Sequence, residues 1–278
     1  MALTRNDYCV HERKGVYTKV GFNGPVGLVV TPDIDLRLFM NRWYFGFAVN
    51  ENDRLSLQFF DEDGSAVHKI YLTEKSDEQA YHQLVAKYKA DEQYQQLAVK
   101  PAKPAAFEKP DGEVNVDAFQ KAWLALEDTH DFHGLLRQHE LTRTQALRLA
   151  PEGYAQPISI DSLKKILTKA SETSLPIMVF TGSAGCIQIH TGEIHKLVQT
   201  GPWFNVLDPE FNMHLREDGI AAIWLVKKPT TEGFVHSIEV YDSAGNTIVQ
   251  VFGKRKPGIP ESEGWRAVLT ELANNSQE

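Results

Sequence analysis

Cysteine is nearly absent from this chain, with two in 278 residues. That excludes a disulfide framework. Cys9 and Cys186 read instead as small strand residues in a reducing compartment. A long apolar run is also missing. No stretch reaches the length of a membrane span, and the start Met-Ala-Leu-Thr-Arg-Asn-Asp is not a signal peptide. Excess positive charge is missing too: the formal net charge is −8. Phosphate binding wants a basic face, so nucleic acid is not expected as a partner. Nor is there a Walker loop, a G-x-G-x-x-G after a strand, a G-x-S-x-G or an H-E-x-x-H. Redox chemistry here would need electrons from outside or a cofactor held without a standard motif. The reading is a soluble, cytoplasmic chain. Its composition is ordinary and globular, 42% apolar and 24% charged.

The chain is also written twice. Cys9-Val10-His11 precedes Cys186-Ile187-Gln188 by 177 positions. At that offset Gly24-Pro25 returns as Gly201-Pro202, Pro32 as Pro209, and Leu36-Arg37-Leu38 as Met213-His214-Leu215. After a shift of four, Ser56-Leu-Gln-Phe-Phe-Asp61…Gly64 answers Ser237-Ile-Glu-Val-Tyr-Asp242…Gly245. The period is too long for a solenoid and reads as a duplicated β-rich unit.

Alternating stretches separated by glycines over 8–30 read as short strands, and Arg54–Tyr71 as a hairpin turning at Asp61–Gly64. Asp77–Tyr94 reads as a helix, and Lys100–Pro110 as an extended Pro/Ala/Lys linker. A long helix is expected over 116–138 with Asn115 as its N-cap, then helices over 143–149 and 159–172. A second β unit begins at Ile177, holds a hairpin over 235–252, and ends in a helix over 263–273. The fold class is therefore α+β. The division expected is an N-terminal repeat (1–97), the linker (98–114), a helical segment (115–175) and a C-terminal repeat (176–278).

Three features could carry chemistry. Phe119, Trp123, Leu126, His130 and His133 are spaced 4, 3, 4, 3, one face of a helix. A neutral imidazole in an apolar wall suits a haem iron as axial ligand. From spacing alone the favoured reading is two partly buried histidines, each satisfied by a carbonyl or by neighbours such as Asp128 and Asp131; a zinc site is a weaker third reading, since no further ligand lies at a recognisable spacing. Second, the C-terminal hairpin runs into Phe252-Gly-Lys-Arg255-Lys-Pro-Gly258, with Lys227-Lys228 on the strand before it. The matching N-terminal tail is mixed in charge. The basic cluster fits a bound anion or a sheet edge protected from pairing. Third, Arg37 sits in an apolar strand. It is either the ion-pair partner of Asp35 or an inward donor.

Gly185-Cys-Ile-Gln-Ile-His-Thr-Gly192, Gly201-Pro-Trp-Phe-Asn-Val-Leu-Asp-Pro209, His214-Leu-Arg-Glu-Asp218, Asp128-Thr-His-Asp-Phe132, Gln145-Ala-Leu-Arg-Leu-Ala150 and Phe252–Gly258 closely resemble the cytoplasmic hemin-degrading factors of the HemS/ChuS/HmuS type. The likeness runs over about 5–270. It implies two stacked, large antiparallel sheets with flanking helices, internally duplicated and binding one haem. It further implies His130 as axial ligand, His133 as an alternate, and Arg37 as the distal residue. Arg143, Lys228 and Arg255 then fall on the propionate- and pocket-facing basic positions, with Gln250 nearby. Members usually carry a helical segment before the first strand, where this chain begins, so either the start is misplaced or it is a shortened member. The leading expectation is a haem-degrading oxidoreductase with Arg37 catalytic, fed by an external reductant such as NAD(P)H-derived electrons or ascorbate. Alternatives are a haem chaperone delivering to a separate oxygenase, or haem storage without turnover. The partners implied are haem and a haem importer or oxygenase, with the protein a monomer or homodimer.

Overall fold

The computed structural model describes residues 1–93, 96–104, 107–256 and 258–275. Tyr94, Gln95, Ala105, Ala106, Pro257 and residues 276–278, which the sequence reading spans, lie outside them. The chain opens with β1 (Ala2–Arg5), β2 (Cys9–Arg13), β3 (Val20–Asn23), β4 (Val26–Val30) and β5 (Asp35–Phe39). β6 (Phe45–Glu51), β7 (Arg54–Phe60) and β8 (Ala66–Tyr71) follow, then α1 (Glu78–Tyr88). A helical stretch comes next: α2 (Val116–Leu124), α3 (Phe132–His139), α4 (Arg143–Arg148), then β9 (Ala155–Ile158) and α5 (Asp161–Glu172). The remainder is β10 (Ile177–Gly182), β11 (Cys186–Gly192), β12 (Leu197–Thr200), β13 (Trp203–Leu207), β14 (Phe211–Arg216), β15 (Ala222–Thr230), β16 (Gly233–Tyr241), β17 (Thr247–Gly253) and α6 (Glu263–Asn275).

Among the described residues these strands make two antiparallel sheets. One has eight strands in the order β12-β13-β14-β2-β1-β8-β7-β6, the other nine in the order β3-β4-β5-β11-β10-β17-β16-β15-β9. The α+β class read from the sequence is what the chain adopts.

The sequence repeat is visible as repeated backbone geometry. Gly24, between β3 and β4, takes φ +57°, and Gly201, between β12 and β13, takes φ +55°. Gly64 and Gly245 both take φ +80°. Each closes its turn by donating its amide to the aspartate three residues earlier, Asp61 or Asp242. Left-handed backbone at these turns favours glycine, so the repeated glycines are dictated by conformation. The ladders are interrupted at matching points, between Phe59 and Phe60 and between Val240 and Tyr241. The shift of four also has a physical form. The β6–β7 hairpin has seven residues per strand and the β15–β16 hairpin nine, an extra two on each side.

The chain divides into two compact units. The first comprises 1–103, 181–189 and 209–213. Its interior holds Leu36, Val67 and Ile34, with both cysteines fully buried. Cys9 Sγ lies 3.5 Å from Thr181 Oγ1, and Thr4 Oγ1 donates to Cys186 Sγ at 3.4 Å. Thr4 and Thr181 are themselves 177 apart, so the two contacts are repeats of one another. Burial pushes both thiols up to about 12, which makes them poor nucleophiles. Lys100 and Lys103 both pair with Glu62, tying the start of the linker to the β7–β8 turn.

The second unit comprises 104–180, 190–208 and 214–278. α5 buries Leu163, Ile166, Leu167 and Ala170, the i, i+3, i+4, i+7 face of an amphipathic helix. α6 buries Trp265 so closely on β17 that a Cβ at Gly253 would sit 2.5 Å from the indole. That close approach accounts for glycine at the head of the Gly-Lys-Arg-Lys tail. A further core cluster packs Phe119, Trp123, Phe132, Leu147, Val226 and Tyr241, and it carries the candidate site.

Candidate functional site

The single helix expected over 116–138 is two helices with a bent junction. Asn115 does cap the start, accepting from the amide of Ala118 at 3.1 Å. After Leu124 the chain leaves the helix, and Asp128 takes an extended conformation. Its carboxylate accepts the amide of His130 at 2.8 Å and starts a short 3-10 turn, Thr129–Asp131, that runs into α3. Aspartate competes with the helical ladder in this way because its side chain offers the backbone another acceptor. The consequence for the histidines is large. Phe119 and Trp123 face the core, whereas the His130 side chain is 85% exposed, in a turn rather than on a continuous apolar stripe.

His130 is nevertheless held. Its Nδ1 lies 2.6 Å from Asp128 Oδ1. With Nδ1 committed to a carboxylate, Nε2 is the nitrogen left for a ligand. A carboxylate behind an imidazole is the usual support of a metal-binding histidine. Arg255 is near enough to help hold Asp128 below the usual carboxylate range, after the bonds from His130. His130 and His133 both line one groove of about 480 Å³, walled by Ala122, Leu126, Gly134 and Leu135 and edged by Glu127 and Arg137. That size falls in the ordinary range for small-molecule sites, about 300–1,000 Å³.

Beneath the turn lies a buried ion cluster. Glu239, on β16, is fully buried. Arg143, at the start of α4, donates to it through Nε and Nη2, both at 2.8 Å, a bidentate pair. Lys228, on β15, donates from Nζ at 2.7 Å, and the Ser237 and Tyr241 hydroxyls donate as well. Burial pushes the Glu239 carboxyl up, but Arg143 and Lys228 together bring it well below the usual range. Burial lowers the Lys228 ammonium to about 8, against the pull of Glu239. Both cations also face the ring of Phe132, Lys228 at 4.6 Å and Arg143 at 5.2 Å from its centroid. The His133 imidazole is held below its ordinary value by desolvation, with Arg143 and Lys228 adding to the effect.

Arg143 and Lys228, read from the sequence as anion contacts, are therefore joined through Glu239, which sequence reading did not single out. The signal was there. At the matching point of the first repeat stands Gln58, so Glu239 is a charge placed where the other copy has an amide. Gln250, directly across the ladder from Glu239, has a buried Nε2 with no hydrogen-bond partner among the described residues. Beside it on the same face, Phe180 and Phe252 pack with their rings tilted 59° at 5.0 Å between centroids, both half-buried. An apolar pair with a spare donor fits a flat, mostly apolar ligand.

Arg37 lies on β5 in the first unit and pairs with Asp35 through Nη1, which also donates to the carbonyl of Leu36 at 3.3 Å. Of the two readings of Arg37, the Asp35 pair is present. It uses Nη1 and leaves the Nε and Nη2 hydrogens to a further acceptor. His214, at the equivalent repeat position, bonds Asn205 at 2.8 Å. Zinc finds no support: among the described residues no group of three or more His, Cys, Asp or Glu could hold a metal ion. No helix among them is long and apolar enough to cross a membrane.

Comparison with known proteins agrees with the motif resemblance. The family model of the haemin-degrading HemS/ChuX domain matches residues 1–88 and 140–272. The hemin transport protein HmuS of Yersinia pestis is 39% identical over 279 residues, covering 98% of this chain and 80% of that one. Apo-PhuS, a heme-binding protein from Pseudomonas aeruginosa, superposes with a TM-score of 0.95 at 49% identity, covering 98% of this chain and 80% of its own. The heme degrading enzyme ChuS of Escherichia coli O157:H7 gives 0.89 at 37% identity, with the same coverage. Motifs, duplicated sheets and near-complete alignment converge: the chain belongs to the haemin-degrading HemS/ChuX family.

Proposed function

We propose that this protein binds haem in the cytoplasm and promotes its breakdown, releasing iron, with haem as substrate. The observation that carries the reading is the Asp128–His130 pair at a groove shared with His133. It is a supported imidazole with one nitrogen spare, in one of the motifs that carry the resemblance. His130 serves as axial ligand and His133 as alternate. Phe180, Phe252 and Gln250 offer an apolar seat with one donor, and Arg255 a cation for the ring's carboxylates. Arg37 is the distal donor. Paired with Asp35, it keeps guanidinium hydrogens that would stabilise negative charge developing on oxygen. Electrons come from outside, since the chain has no nucleotide-binding motif. Holo-PhuS and a ChuS described as an E. coli heme oxygenase are among the similar structures, at 48% and 37% identity.

The test is haemin-loaded protein with ascorbate or an NAD(P)H-driven reductant, catalase being present. Loss of the Soret band with tetrapyrrole product and free iron is expected. Arg37→Ala should slow that loss about 10²- to 10³-fold while changing haemin affinity little. A persistent Soret band in the wild type, with haem passing to an acceptor protein, would instead make this a carrier. One observation favours that second reading: two imidazoles line one groove and provide a ligand to receive the iron as the other lets go.

Asp128→Ala tests the support of His130. It removes both the turn's cap and the Nδ1 partner, so haemin affinity should fall about 10- to 100-fold. Asp128→Asn, which keeps an acceptor, should recover part of it. Haemin titration followed at the Soret band measures both.

A further inference from the structure

Burying an ion cluster is expensive, and this chain shows that its fold does not require one. By ladder register Ser237, Glu239 and Tyr241 correspond to Ser56, Gln58 and Phe60, since both hairpins bulge at the same point. In the first copy Gln58 donates to Ser56 at 3.1 Å, and no carboxylate stands at this point. In the second, Ser237 donates to a carboxylate at 3.0 Å. The register equivalent of Lys228 is Glu51, which is exposed. The same hairpin therefore exists with and without a buried carboxylate at this point, and Lys69 of the first copy stands where the second has Gln250. Replacing a buried ion pair by well-packed apolar residues of similar volume is often neutral or stabilising, so a cluster built into one copy alone asks for a reason besides stability.

The cluster's contacts supply it. Phe132 is 1% exposed and lies between His130 and His133 in sequence. Its ring has Lys228 and Arg143 within cation–π distance, and Trp123 packs edge-on at 4.7 Å. Trp123 in turn donates its indole N–H to the carbonyl of Lys227 on β15 at 3.2 Å. The only residue of the motif that is anchored in the core is thus clamped between two cations and an indole. Glu239 fixes the cations.

We infer that Glu239 is a positioning residue for the histidine-bearing turn, acting through Arg143, Lys228 and Phe132. The inference rests on the haem reading, but its first test does not use haem. In the ligand-free protein, Glu239→Gln with Lys228→Met keeps the local formal charge at +1, Arg143 remaining. It places at 239 the amide that the first copy has at Gln58. Arg143 loses its counter-ion, so some global stability is lost, but amide exchange at residues 129–136 should rise about tenfold more than in the rest of the second unit. A cluster that is only structural would lose stability globally and show no selective change in the turn.

Phe132→Leu, which leaves the ions in place, should raise exchange in the same segment. Combined with the double change it should add little, because both act along one route. Haemin binding then distinguishes positioning from direct contact. The double variant should bind haemin about tenfold more weakly, and by the same factor haemin dimethyl ester, whose carboxylates are blocked. A loss confined to free haemin would overturn the inference, because Lys228 would then be contacting the ligand's carboxylates. So would unchanged exchange at 129–136. Failure of the wild type to bind haemin would sink the haem reading but leave the exchange result standing.

Discussion

His130→Ala/His133→Ala is expected to abolish iron coordination. Haemin should then bind, at best, as an apolar plate without an axial bond. The loss should exceed the roughly 100-fold that follows removal of a mere supporting residue. Each single change should behave differently. His130→Ala removes the imidazole that Asp128 orients, but His133 lines the same groove. Its imidazole is held below the ordinary value by desolvation and then by Arg143 and Lys228. It therefore stays neutral, and able to bind metal, somewhat further into mild acid than a free histidine. The single His130 variant should thus keep haemin with a displaced Soret maximum. His133→Ala should leave the maximum in place. Added imidazole should restore a coordinated spectrum to the double variant if the cavity is intact. The readouts are absorbance titration and the coordination-sensitive charge-transfer bands. A double variant with the wild-type spectrum would end the assignment of both histidines.

That experiment concerns residues visible in the sequence, whereas their setting was visible only in part. Repetition is legible because turns demand glycine at fixed conformations. Gly24 and Gly201 share one left-handed geometry, and Gly64 and Gly245 another. Even the shift of four has a simple form, a hairpin longer by two residues on each strand. Spacing misled at the helix. The 4, 3, 4, 3 pattern from Phe119 to His133 fits a continuous stripe, yet a capping aspartate outweighed it. Asp128 was legible as a neighbour able to satisfy an imidazole, as it does at His130 Nδ1. Its second bond, to the amide of His130, breaks the helix, and periodicity counts side chains without seeing it. Glu239 was harder. A buried carboxylate is legible only through its partners, and these lie 96 and 11 positions away, on α4 and β15. Only the other copy, with Gln58 at the same point, marks it as a departure. The two compact units also draw residues 181–189 and 209–213 into the first body, a non-local pairing that no linear reading of segments supplies.

The largest effect expected on stability comes from the first unit, at His68. This imidazole is 1% exposed and sits between two hydroxyls, Thr4 Oγ1 on Nδ1 and Tyr17 Oη on Nε2, each at 2.8 Å. Thr4 gives its own proton to Cys186 Sγ, so its oxygen is free to accept Nδ1–H, and Nε2 then accepts from Tyr17. The neutral ring is thus fully satisfied, and a second proton would create a buried cation without a counter-ion. Burial accordingly lowers its pKa to about 3. In the unfolded chain it returns to about 6.5. Above that value neither state holds the extra proton, and His68 contributes no pH dependence. As pH falls from about 6.5 towards 3 the unfolded chain takes the proton and the folded one does not. Stability is therefore lost across that window, by about 4–5 kcal/mol at its lower end. That is a large part of the total for a typical domain, about 5–15 kcal/mol. His68→Gln keeps a donor and an acceptor but cannot titrate. Urea unfolding at a series of pH values should show it somewhat less stable than wild type at neutral pH, where its geometry is imperfect, and more stable near pH 4. The two stability curves should cross. Parallel curves would mean that the acid sensitivity arises elsewhere, from groups such as Glu239, whose carboxyl must also take up a proton as the fold is lost.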